Sequence, residues 1–170
     1  MPWSCDITEH VTVGQEAWIT IGVDDRRDGL AAFVRGGGIQ RDMKLIAVPP
    51  DYLARLQVET DFDKNFRDAT LKVRLKMVFS DGERGRVKFT LKDAQGAVVP
   101  LKPDTIEITR AASEIVAEIP VANPRQWDAE HPNLYTLEAS VIAANGEVFQ
   151  TISRNIGFRK VEVKGNRMFV

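Results

Sequence analysis

The chain has one cysteine, Cys5, and two histidines, His10 and His131, in 170 residues. With a single thiol there is no internal disulfide and no thiolate zinc cluster, so the compartment stays open. A cysteine nucleophile would need a histidine beside it, and Cys5 near His10 at a chain terminus reads as an ordinary cysteine. Long apolar runs are also missing: Leu30 to Val34 falls far short of the ~20 residues of a membrane helix, and no bilayer is expected as partner. The first residues, MPWSCDITEH, lack the basic and apolar segments of a secretory signal. Neither sign of charge dominates, with 23 Lys and Arg against 24 Asp and Glu. No global field therefore recommends nucleic acid. No cofactor motif and no metal-ligand set is recognised.

A helical period is absent as well, since no window of twelve or more residues sustains one. Alternation of polarity is present instead, and it predicts an all-β protein. From Thr70 to Phe79 the residues Leu71, Val73, Leu75, Met77 and Phe79 share one face and Lys72, Arg74 and Lys76 the other, as in a half-buried antiparallel strand. Asp81-Gly82 signals a turn, Val87, Phe89 and Leu91 repeat the pattern, and Asp93 to Gly96 turns again before Ala97 to Leu101. Thr105 to Thr109 and Glu114 to Ile119 fit further strands. Asn145-Gly146, the dipeptide favoured where both turn residues take positive φ, predicts a long hairpin between Tyr135 to Ala144 and Glu147 to Asn155. Seven or so short strands between residues 55 and 165 fit a two-sheet sandwich of about 100 residues, and with the antibody Cys, Trp, Cys pattern missing any immunoglobulin-like label means topology without its disulfide.

Residues 1–50 read differently. Ala17 to Val23, Ala31 to Arg35 and Met43 to Val48 look like strands, too few to close a sandwich. Pro49-Pro50 fits a stiff linker, giving an incomplete β unit over 1–50 and the sandwich over 51–170. Asp51 to Leu56 reads as a helical turn capped by Asp51.

Candidate sites are few. Asp61, Asp63 and Asn65 open like a calcium loop, but Phe66 stands where glycine is wanted and Lys72 where a bidentate Glu is wanted, which favours a solvated loop. Gly36, Gly37 and Gly38 lack the Lys-Ser/Thr and helix of a phosphate loop and read as a loop of unusual φ. Asp24, Asp25 and Asp28 around Arg26 and Arg27 read as a self-neutralising surface loop. Asp128, Glu130 and His131 beside Trp127 are compatible with acid/base chemistry or a sugar site, but such residues are common for local reasons before Pro132 and Asn133, and the turn is the favoured reading.

The same stretch carries a resemblance. Trp127-Asp128-Ala129-Glu130-His131-Pro132-Asn133-Leu134-Tyr135 resembles the W-x-x-E-x-P-x-L-Y signature of glycoside hydrolase family 2, the family of β-galactosidases, β-glucuronidases and β-mannosidases. Gly157-Phe158-Arg159-Lys160-Val161-Glu162-Val163 is similar to its G-F-R-x-[IV]-E-[IV] element, which closes the immunoglobulin-like domain. Asp6-Ile7-Thr8, Gly14 and Ile19 to Val23 resemble a stretch late in the N-terminal sugar-binding jelly roll. Gly37 to Met43 resembles a G-G-I-[YW]-R-D-V element, with Gln40 in place of the aromatic.

The resemblance implies a scaffold fragment of a β-galactosidase-like enzyme. In the family both catalytic carboxylates lie in a TIM barrel that follows the G-F-R strand, so no residue here inherits either role. The implied partners are the missing jelly-roll strands and the barrel, with a carbohydrate substrate for the parent only. Trp127, Leu134, Tyr135 and Phe158 are expected to act by packing, with Trp127 and Phe158 in contact; Glu130, Pro132, Gly157 and Arg159 complete the structural motif. The competing readings are a stand-alone immunoglobulin-like adhesion or carbohydrate-binding module, and a small hydrolase built on Asp128, Glu130 and His131.

Overall fold

A computed structural model describes residues 4–23, 38–39, 41–80 and 84–169. The expected strand Ala31 to Arg35, the Asp24 to Asp28 loop, Gly36, Gly37, Gln40 and the Asp81-Gly82 turn lie outside these residues. The chain divides into two units, Met1–Ile46 and Ala47–Val170.

In the first unit the described residues form one 3-10 turn, Thr8–His10, and no strand. The expected strands Ala17 to Val23 and Met43 to Val48 are not formed. Alternating polarity prepares a face for burial, but a strand exists only through a ladder partner, and no described residue pairs with either segment. Trp18 is accordingly 89% exposed and Leu45 82%.

The second unit is an all-β sandwich of antiparallel sheets. One sheet holds β1 (Tyr52–Phe62), β2 (Ala69–Val78) and β6 (Glu114–Val121) in the order β1-β2-β6. The other runs β4 (Val98–Val99), β3 (Arg84–Lys92), β7 (Tyr135–Ile142), β8 (Val148–Ile156), and β5 (Thr105–Thr109) also pairs with β3. β4 and β5 take opposite ends of β3 on the side away from β7, so together they make one interrupted edge strand. Pro100 and Pro103 fall in the interruption and Pro120 in edge strand β6, where a missing N–H discourages further pairing.

Between the sheets lies the apolar core. Leu71, Val73, Leu75 and Met77 of β2 face Val87, Phe89 and Leu91 of β3 and Leu137, Ala139 and Val141 of β7, all buried. The alternation that predicts these strands is the alternation of their burial. Two links join the sheets at their open edge: the Leu53 N–H donates to Gln150 Oε1 at 2.7 Å, and the Thr60 hydroxyl lies 3.1 Å from the carbonyl oxygens of both Gly157 and Arg159.

Two local expectations are corrected. Asp51 to Leu56 is not a helical turn: β1 begins at Tyr52, and the Asp51 carboxylate accepts the Ser80 N–H at 2.7 Å. The register slips between Leu53 and Arg55, leaving Ala54 as an extra residue. That bulge puts Leu53 and Leu56 three apart, a helix-like spacing inside a strand. In the hairpin, Gly146 has φ 89° but Asn145 is not at positive φ. The Gly146 N–H donates to the Ala143 carbonyl at 2.9 Å and the Ala143 N–H to the Glu147 carbonyl at 2.8 Å. This is an ordinary turn closed by one left-handed glycine, not a turn with two positive φ values. Beyond β8, β9 (Glu162–Lys164) and β10 (Arg167–Phe169) form a separate two-stranded sheet.

Candidate functional site

The two motif segments converge. Tyr135 opposes Ile156 in the β7-β8 ladder, which returns the end of β8 to the start of β7. The Trp127 N–H then donates to the Phe158 carbonyl at 2.8 Å, and Gln126 bridges to Phe158 in parallel fashion.

Phe158 is fully buried, with its ring edge-on to Tyr135 at 5.1 Å between centroids. The expected Trp127 to Phe158 ring contact is replaced by this one. The Trp127 ring, half-buried, instead lies against Gly157: a Cβ on Gly157 would stand 2.7 Å from the indole Cγ and 2.8 Å from Cδ1. The Arg159 guanidinium lies over the same ring, 4.9 Å from its centroid. Tyr135 is buried and its hydroxyl accepts the Arg125 N–H at 2.8 Å. A tyrosine that opens a strand and bonds back to upstream backbone is the tyrosine corner of immunoglobulin-type sandwiches; Leu137, two residues on, occupies the place of their second cysteine. Tyr135→Phe removes that one acceptor, so unfolding in urea should show a loss of about 0.5–1.5 kcal/mol at unchanged slope.

Glu130, Pro132 and Leu134 do not join this cluster. All three are exposed, Leu134 by 42%, so its expected packing role is corrected: alternation turns Tyr135 inward and Leu134 outward. The intervening Asp128 to His131 segment is a capped turn, clasped by the Trp127 to Pro132 bridge. Asp128 Oδ1 accepts the His131 N–H at 2.6 Å, and the His131 Nδ1 lies 3.2 Å from the same oxygen. The His131 backbone N–H holds the Asp128 carboxyl below its ordinary pKa, with the imidazole helping. An ionised, solvent-facing acceptor suits a turn cap better than a proton donor.

Asp63, from the calcium-like run, also caps locally, accepting the N–H groups of Asn65 and Arg67 at 3.1 and 2.9 Å. Among the described residues no three His, Cys, Asp or Glu side chains are grouped to hold a metal ion. Thr60 is the participant that sequence reasoning misses. Its hydroxyl, near the Gly157 and Arg159 carbonyls, also accepts the Arg159 N–H at 3.2 Å, and nothing local in β1 announces a partner 99 residues away.

Comparisons with known proteins bear on the family and the fold. Residues 52–159 match the model of the family described as glycosyl hydrolases family 2. A β-galactosidase of Clostridium acetobutylicum is 28% identical over 98% of this chain, which spans 18% of that protein. A putative β-glucuronidase of Formosa agariphila is 30% identical over 98% of the chain, again a small part, 20%, of the relative. Among solved structures, a Parabacteroides merdae β-glucuronidase superposes with a TM-score of 0.55 over 68% of this chain and 14% of its own, at 22% identity, which supports the fold.

Proposed function

Because the chain belongs to glycoside hydrolase family 2, a membership carried by the match over residues 52–159, we propose that it serves as non-catalytic scaffold of a larger β-glycosidase. On this reading residues 51–170 are the immunoglobulin-like domain and residues 1–50 the end of a sugar-binding jelly roll. The carboxylate pair of retaining hydrolysis belongs to a barrel elsewhere in the longer protein. The observation that carries the proposal is the use made of the motif residues. Trp127, Tyr135, Gly157, Phe158 and Arg159 meet one another in a packed corner, and the acids nearest to them, Asp128 and Glu130, face solvent on a turn. The sandwich would join the sugar-binding domain to the catalytic domain, and the carbohydrate substrate is handled by the whole protein.

The test is direct. The purified chain should leave nitrophenyl β-galactoside, β-glucuronide and β-mannoside unhydrolysed above the buffer rate. A rate proportional to protein concentration and abolished by Glu130→Gln would overturn the scaffold reading in favour of a hydrolase on the Asp128 to His131 turn.

A further inference from the structure

The outer face of the larger sheet carries a row of cations without partners among the described residues. Alternation turns Val87, Phe89 and Leu91 into the core, so Arg84, Arg86 and Lys88 all project from the opposite face of β3 and are exposed. No hydrogen bond or ion pair from the described residues engages any of the three side chains, whereas Lys92, further along the same face, is paired with Glu138 at 2.8 Å. Even Glu107, directly opposite Arg86 in the β3-β5 register, forms no ion pair with it. From Arg84 to Lys88 the row extends about 13 Å at the rise of a β-strand. Its flanks are hydroxyls: Thr105 and Ser140 stand opposite Lys88 on either side, and Ser140 is hydrogen-bonded to Thr151 at 3.1 Å. At one end Arg84, Arg86, Glu107, Ala143 and Ala144 line a cleft of about 360 Å³.

We propose that this face binds an acidic polysaccharide, one bearing carboxylates or sulfates, a proposal that rests on the carbohydrate-handling role above and adds a ligand class to it. Cations held apart by strand geometry, with no ion-pair partner among the described residues, favour a ligand that brings several negative charges at once. The neighbouring hydroxyls and the Glu107 carboxylate suit the hydroxyls of a sugar chain. No aromatic side chain occupies the outward positions of β3, β5 or β7, so a neutral sugar has no platform and single-stranded bases have nothing to stack on.

The full chain should be titrated with polygalacturonate, dextran sulfate, neutral dextran and single-stranded DNA at low salt and at about 0.2 M salt, where charge interactions are screened within ~8 Å. Binding of polygalacturonate, of dextran sulfate or of both, weakened by salt, is the expected result, and the polymer preferred identifies the charged group. Arg84→Ser/Arg86→Ser/Lys88→Ser should weaken it about tenfold or more at an unchanged melting temperature. The control Arg55→Ser/Lys72→Ser, on the other sheet, where the two cations are paired with Glu114 and Glu118, should leave it unchanged. Failure of both anionic polymers to bind, equal loss in the control, retention in the triple variant, or equal affinity for DNA would each overturn the proposal. Glycoside hydrolysis by the chain would sink the scaffold reading and leave this one standing.

Discussion

Phe158→Ala is expected to lower the melting temperature by roughly 6–20 °C, more than any other single truncation at the junction of the two motif segments. The ring is fully buried and packs edge-on against Tyr135, so its removal leaves a cavity where the two motifs meet. A buried phenyl ring truncated to Ala typically costs ~3–5 kcal/mol, and for a chain of this size each kcal/mol moves the midpoint by about 2–4 °C. Tyr135→Ala in the same background should cost less than it does alone, because the lost contact is shared. Calorimetry of the single and double variants checks both statements. A Phe158→Ala midpoint within about 3 °C of the parent would show that the segment after β8 is not part of the cooperative unit.

Much of the sandwich is legible in the sequence because its central strands bury one face and wet the other. In β2, β3 and β7 the period of two is a direct consequence of lying between core and solvent, and polarity alone reads it. β1 is harder, since the extra residue Ala54 shifts the alternation partway along the strand and leaves Leu53 and Leu56 at a helical spacing. Residues 17–23 and 43–48 show the converse failure. Their pattern is strand-like, but pairing is a property of two segments, and alternation in one says nothing of whether the other is at hand. The motif corner is legible only as a set of names. Which of its members are buried follows from long-range partners such as Thr60, whose two carbonyl neighbours lie across the edge of the sandwich.

Gly157 gives a sharper test of how the two motifs depend on each other. It is not at positive φ, so its glycine is not required by backbone conformation. The requirement is space: a methyl group there would stand 2.7–2.9 Å from three carbons of Trp127, closer than any unstrained contact. The ring cannot simply retreat, because the Trp127 N–H is held by the Phe158 carbonyl and the Arg159 guanidinium covers the ring. Gly157→Ala should therefore destabilise the chain by about 1–3 kcal/mol, the usual range for overpacking. Trp127→Ala alone removes a half-buried ring and should also destabilise. Once the indole is gone, however, a methyl group at position 157 has room, and the second substitution should cost less than about 0.5 kcal/mol. A double-mutant cycle in urea measures the difference as a coupling energy. If Gly157→Ala costs the same with and without the indole, the tryptophan is not what excludes a side chain at this position, and the pairing of Trp127 in one motif with Gly157 in the other must have a different physical origin.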